Sequence, residues 1–401
     1  MNDISHALGL HMHQPPENLR LLIEQDTWEA RQIIMCYARP VKFVCNFPDV
    51  AHLNIGFSGV LLEQLTDPDI QKEVREMCDM EDVLQQYRST EQIEIIGMGY
   101  YHPVFPLIPQ EDWNAHLERG RMMIKETFGV QPVGFWPSEL AFSMEMIPSL
   151  RQTGYEYVVV DSVHVHPEEG DKAKETLDAS KVHTPHLARH EGYEIVVVPR
   201  DRDVSNAQES GMDPEWFENE ITHKTASAEG PILVTTWSDG ENGGWFRQMD
   251  EDHGFWGHFF APYMKRVREG VFPLQPVRLS DYINDNPPRD YVSVRTGAWN
   301  VAQTSGFDFS QWSQSPGQQK ALEEIREVSR IFHRMEREVG DRRDEVNDPE
   351  HVEGLLNQAH EWLLRAETSC YLFWGDAWVS KVYDQTKPAR IMLRQIADIL
   401  A

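Results

Sequence analysis

The feature that narrows this chain most is an alternation: through its first two thirds, short β-rich runs take turns with longer stretches patterned for helices. The candidate strands are 7–12, 42–47, 93–98, 133–136, 155–161, 193–199 and 232–237. Two of them, Tyr155-Glu-Tyr-Val-Val-Val-Asp161 and Ile195-Val-Val-Val-Pro199, are almost continuously apolar, which predicts strands buried on both faces. Helical spacing falls between them, at 69–88, 111–128, 145–152 and 214–227. Strand–helix alternation of this kind builds a parallel sheet. Over 401 residues it predicts an α/β chain: a seven-stranded (β/α) barrel with a C-terminal helical domain. The boundary is set by the turn-rich stretch Asn284-Asp-Asn-Pro-Pro-Arg-Asp290. Residues 1–285 are expected to form the catalytic barrel, and 286–401 a helical domain that completes the substrate cleft, with amphipathic helices at 320–339, 351–368 and 379–400.

Charge removes several classes of function. With 65 acidic against 37 basic residues the formal net charge is -28, a field that repels phosphate backbones and anionic membrane surfaces. Nucleic-acid and membrane partners are therefore not expected, whereas a neutral sugar meets no such barrier. The four cysteines show no C-x-x-C spacing and read as free thiols of a reducing compartment. No basic, then apolar, leader opens the sequence, so the expected location is cytoplasmic.

In parallel barrels, chemistry collects where strands end and loops begin. Here five strand ends carry polar, titratable or aromatic residues. These are His11-Met-His13-Gln14, Tyr100-Tyr101-His102, Trp136-Pro-Ser-Glu139, Asp161-Ser-Val-His164, and Trp237-Ser-Asp239-Gly-Glu241 leading to Trp245. Glu139 and Asp239 stand out, since each follows an apolar strand beside a tryptophan. Two carboxylates across a barrel mouth suit glycosidic bond cleavage, one stabilising the oxocarbenium-like centre and the other protonating the leaving oxygen. Each also fits a plain ion-pair or capping role, and Glu241 competes with Asp239 as the acid. His11 and His13 share a strand face; with Asp161 and His164 they define a possible zinc set, against which stands hydrogen bonding to a substrate hydroxyl. The chain holds 12 tryptophans. Trp136, Trp237, Trp245, Trp299 and Trp312 fall at strand ends or loops, and Trp374 near a helix start, where indole can stack on a sugar ring or simply pack the core.

Taken in order, five segments resemble glycoside hydrolase family 57. They are His13-Gln14-Pro15, residues 95–108 around Tyr101-His102-Pro103, residues 134–139 ending in Glu139, residues 237–243 around Asp239, and residues 367–374 ending in Trp374. The resemblance implies a retaining mechanism with Glu139 as nucleophile and Asp239 as general acid/base, and no metal or other cofactor. It implies sugar contacts from His13 and His102 at the cleavage point, with Trp312 over the cleft and Asp308 beside it. From their places at strand ends, in loops or near a helix start, His11, Gln14, Tyr101, Trp136, Trp237, Trp245 and Trp374 are further expected sugar contacts. His102 before Pro103 is similar to amylase-like members, while Cys370 stands where branching-enzyme-like members carry Asp. An amylase-like hydrolase of α-glucans is expected, with an oligo- or polysaccharide as partner. Transglycosylation of the 4-α-glucanotransferase or branching type on the same site is the second reading. A metal-dependent deacetylase or mannosidase, and a non-catalytic glycan-binding protein, are the rivals of other classes.

Overall fold

The computed structural model describes residues 4–168, 181–241, 243–272, 274–299, 309–345 and 347–401. Seven parallel strands form its centre: β1 (Ile4–Met12), β2 (Leu53–Phe57), β3 (Ile93–Ile96), β4 (Gly134–Phe135), β5 (Tyr157–Asp161), β6 (Tyr193–Arg200) and β7 (Ile232–Asp239). β1 pairs with β2 on one side and β7 on the other, β2 with β3, β4 with β5, and β5 with β6, all in parallel. Two seams close the ring. Between β3 and β4, the Gly97 amide donates to Gly134 and the Trp136 amide donates back to Gly97, each at 2.8 Å. Between β6 and β7, the Asp201 amide donates to the Thr235 carbonyl at 2.9 Å. The chain is thus an α/β protein built on a seven-stranded (β/α) barrel, followed by a helical C-terminal region.

The apolar runs are buried on both faces, as continuous hydrophobicity requires. Along β5, Tyr157 and Val159 join an inner cluster with Ala7, Ile96, Val198 and Trp237, drawn from four other strands or strand ends. Val158 and Val160 point the other way, into a cluster under the surrounding helices with Leu150 and Ile195. Each fully buried valine of this kind contributes about 1.5–3 kcal/mol relative to exposure. Gly9 is required by the inner packing: a Cβ there would lie 2.0 Å from the Trp237 ring.

One predicted strand is wrong. Residues 42–45 belong to α1 (Thr27–Cys45), and Asn46 and Phe47 follow its end; the helix is capped by Asp26, whose side chain accepts from the Glu29 amide at 3.0 Å. Its buried Ile33, Ile34, Tyr37, Val41 and Val44 follow helical spacing, and packing on the barrel overrides the β-branched character of its end. The second barrel strand is instead Leu53–Phe57. The predicted 69–88 helix is two helices, Pro68–Val74 and Met80–Ser89, each started by an aspartate cap, Asp67 and Asp79. The helix predicted at 111–128 is α2 (Gln110–Phe128). Beyond the barrel, α3 (Pro316–Asp341), α4 (Pro349–Ala366) and α5 (Ser380–Leu400) pack on one another through Phe332, Leu363, Leu393 and their neighbours. A short helix, Ser369–Phe373, follows α4 and brings the C-terminal region back to the barrel mouth, where Thr368 bridges to Pro103. No helix among the described residues is long and apolar enough to cross a membrane.

Candidate active site

A cleft of about 490 Å³ opens at the C-terminal ends of the strands. His11, His13 and Gln14 come to it from the end of β1, His102 from the loop after β3, Glu139 from the turn after β4, and Asp239 from the end of β7. Strand register accounts for part of this arrangement. His11 and Asp239 are direct cross-strand partners, and His11 Nε2 lies 3.8 Å from an Asp239 carboxylate oxygen.

Glu139 is held from two sides. Trp299 Nε1–H donates to Oε2 at 2.8 Å, and the Ser369 hydroxyl donates to Oε1 at 2.9 Å. Burial raises its pKa above the ordinary carboxylate range, against the pull of those two donors; the Asp239 charge adds to the rise. Its backbone is left-handed (φ 60°, ψ 18°), as are Leu140 (φ 50°) and His102 (φ 59°). Conformations of this kind cost non-glycine residues about 1–3 kcal/mol each and persist only where surrounding contacts impose them. The Trp299 amide bonding to the Glu139 carbonyl at 2.9 Å is one such contact. Arg200, buried at the end of β6, sits 5.6 Å over the Trp299 ring and so holds the indole against Glu139.

The histidines are packed as neutral rings. His13 and His102 stack at 4.0 Å between centroids, and His11 lies 5.9 Å from His102. Burial lowers the pKa of all three, that of His13 to about 3. His13 Nδ1 meets the Ser58 hydroxyl at 2.8 Å, and its Nε2 meets Cys370 Sγ at 3.4 Å. Burial pushes the Cys370 thiol up, so it stays a thiol. Glu241 does not line the cleft. It is buried behind it, where Oε1 accepts from the His13 amide at 2.8 Å and from Gln14 Nε2 at 3.1 Å. Burial, reinforced by the Asp239 charge, keeps Glu241 well above the usual carboxylate range, and its position makes it a support for the first loop rather than a rival acid.

Several expected sugar contacts lie elsewhere. Trp136 and Trp237 are fully buried and stack on each other at 4.7 Å, with His11 on Trp136 at 5.4 Å; they form the floor beneath the histidines. Tyr101 is buried, and its hydroxyl donates to Glu361. Trp245 packs on Phe255 and His258, and Trp312 is buried in the C-terminal core. Each of these rings is consumed by packing, the common fate of large aromatics. Trp374 does line the cleft and is 58% exposed, beside Phe373 and Trp378. Asp308 lies outside the described residues. The zinc set is dispersed: Asp161 is paired with Arg202 at 2.9 Å and Arg200 at 3.5 Å, and His164 Nε2 meets the Ala298 carbonyl at 2.8 Å. Among the described residues no group of three or more His, Cys, Asp or Glu side chains is placed to hold a metal ion. Ser369 and Arg200, which hold Glu139 and its partner Trp299, and Glu209 and Arg247, which line the cleft, are absent from the sequence expectations, where Trp299 is only one of several loop tryptophans. For Ser369 the signal was its place inside the 367–374 segment.

Two carboxylates, neutral histidines and an exposed aromatic edge meet at the C-terminal mouth of a parallel-strand barrel, the place where α/β-barrel proteins carry their ligand sites. The family model for glycosyl hydrolase family 57 matches residues 7–295, and the chain belongs to that family. An α-amylase of Dictyoglomus thermophilum is 26% identical over 327 residues, covering 80% of this chain and 42% of the relative. A 4-α-glucanotransferase of Thermococcus litoralis is 25% identical over 331 residues, covering 81% and 44%. The chain thus spans less than half the length of these relatives. In fold it is similar to a family 57 branching enzyme of Thermococcus kodakaraensis, with a TM-score of 0.71 at 16% identity over 100% of this chain and 90% of the other.

Proposed function

We propose that this protein is a retaining glycoside hydrolase of α-glucans, amylase-like in its reaction, with Glu139 as nucleophile and Asp239 as general acid/base. The observation that carries the reading is the treatment of Glu139: a buried, backbone-strained carboxylate gripped by Trp299 and Ser369 at the edge of the same cleft as Asp239. In the first step Glu139 bonds to the anomeric carbon while the glycosidic bond breaks and the leaving oxygen takes a proton from Asp239. In the second, water attacks that carbon, gives its proton to Asp239, and Glu139 departs. No step is assigned to a metal. Family membership and the α-amylase relative support the substrate class. The glucanotransferase relative supports a second outcome on the same intermediate, in which a sugar hydroxyl replaces water.

Residues 286–401 are read as the helical domain that completes the cleft. The placement of Gln311, Cys370, Phe373, Trp374 and Trp378 on its wall supports this. Incubation with soluble starch and maltooligosaccharides tests the whole reading, with products resolved by chromatography and the first-formed anomer followed by NMR. The expected product is the α anomer. A β anomer formed first would overturn retention, and an unchanged α-glucan panel would overturn the substrate class. Glu139→Gln should abolish turnover with an unchanged circular dichroism spectrum; wild-type rates in that variant would remove Glu139 from the nucleophile role.

A further inference from the structure

Ser369 touches two groups of the site at once. Its Oγ lies 2.9 Å from Glu139 Oε1 and 2.9 Å from His102 Nδ1. A hydroxyl has one proton to give, and an ionised carboxylate can only accept. With Glu139 ionised, as attack on a sugar requires, Ser369 must donate to Glu139. Its oxygen is then left to accept from His102, so Nδ1 of that ring must carry the proton. Charge favours the same arrangement, because His102 Nδ1 is also 3.8 Å from Glu139 Oε1, where a lone pair would face a negative oxygen. Burial holds the ring neutral, so fixing the proton on Nδ1 leaves a lone pair on Nε2. His102 Nε2 is buried, has no hydrogen-bond partner among the described residues, and belongs to a residue lining the cleft.

We propose that Ser369 is a positioning residue for the glycosidic reaction: it orients the Glu139 carboxylate and locks His102 in the Nδ1–H tautomer, so that Nε2 accepts a hydrogen bond from a sugar hydroxyl. The site thereby recognises a donating hydroxyl, not an acceptor, at that point. The serine is itself anchored. Its amide donates to the His102 carbonyl at 3.0 Å, and the preceding Glu367 is paired with His116 of α2 at 2.7 Å. The C-terminal region thus sets the state of a histidine and a carboxylate that both belong to the barrel.

This inference rests on Glu139 as nucleophile, and its test separates the two. Long-range ¹H–¹⁵N spectra of histidine-labelled protein, with His102 assigned by comparison with His102→Gln, should show a wild-type ring protonated on Nδ1. In Ser369→Ala that pattern should be lost or mixed. On 4-nitrophenyl α-maltotrioside, kcat of Ser369→Ala should fall about 100-fold, as for loss of one oriented donor, with KM far less affected. Ser369→Thr keeps the hydroxyl and should recover most of the rate. A wild-type His102 protonated on Nε2, or wild-type kcat in a folded Ser369→Ala, would overturn the proposal. Turnover surviving in Glu139→Gln would instead bring down the nucleophile assignment, and the tautomer spectrum would still decide the role of Ser369.

Discussion

Glu139 carries two burdens, a left-handed backbone and a charge in a buried place. Because burial raises its pKa, the folded protein holds the Glu139 proton more tightly than the unfolded chain does. Stability then falls as pH rises from the unfolded carboxylate pKa, about 4.3, through the raised folded value. Glu139→Gln removes the ionisation and should raise Tm. The gain should be full above the folded pKa and vanish near pH 4, and thermal unfolding followed at several pH values checks it. In activity, the same shift places the acidic limb of the kcat/KM profile above the ordinary carboxylate range. Glu139 was visible in the sequence as a carboxylate at the end of an apolar strand beside a Trp-Pro pair, and the order of the five segments singled it out from the ion-pair and capping roles that position also allows. Its two donors were not. Trp299 lies 160 residues away and Ser369 230, and contacts of that span leave no local pattern.

At the scale of elements, the joint between barrel and C-terminal region is the informative one. His116 on α2 and Glu367 after α4 are both fully buried, 2.7 Å apart. Burial drives the His116 pKa down to about 3 and holds that of Glu367 well above the normal range, so the pair is a hydrogen bond between neutral groups, not an ion pair. His116 Nδ1 accepts from the Tyr101 amide, so its Nε2–H donates to Glu367; Glu367→Gln keeps an acceptor for it and should unfold within about 1 kcal/mol of wild type. Glu367→Ala strands a buried imidazole and should cost about 3 kcal/mol. Urea unfolding of the two variants distinguishes these outcomes. The element most misread, α1, shows the reverse problem. Its end, Val41-Lys-Phe-Val-Cys45, has strand-like residues, and Pro40 precedes it inside the helix. Only packing of the apolar face against the barrel makes that stretch helical.

For the molecule as a whole, the net charge of -28 is spread over a surface that must repel itself. Tm should therefore rise as sodium chloride is raised from about 0.01 M to 1 M, over which the Debye length shrinks from about 30 Å to 3 Å. A flat Tm across that range would show that ion pairs already neutralise the repulsion.

The barrel class, most of its strands and the long C-terminal helices were legible in the chain, and so was the presence of Glu139 and Asp239 at strand ends, because periodicity and strand-end composition are local properties that a chain displays before it folds. Only the folded arrangement shows which aromatics line the cleft and which pack the core, that Asp161 pairs with Arg200 and Arg202, and how Glu139 is gripped. Those outcomes depend on which distant segments meet in the closed ring. Ser369 is the sharpest case: its hydroxyl reaches Glu139 and His102 only once the chain after α4 returns to the barrel mouth.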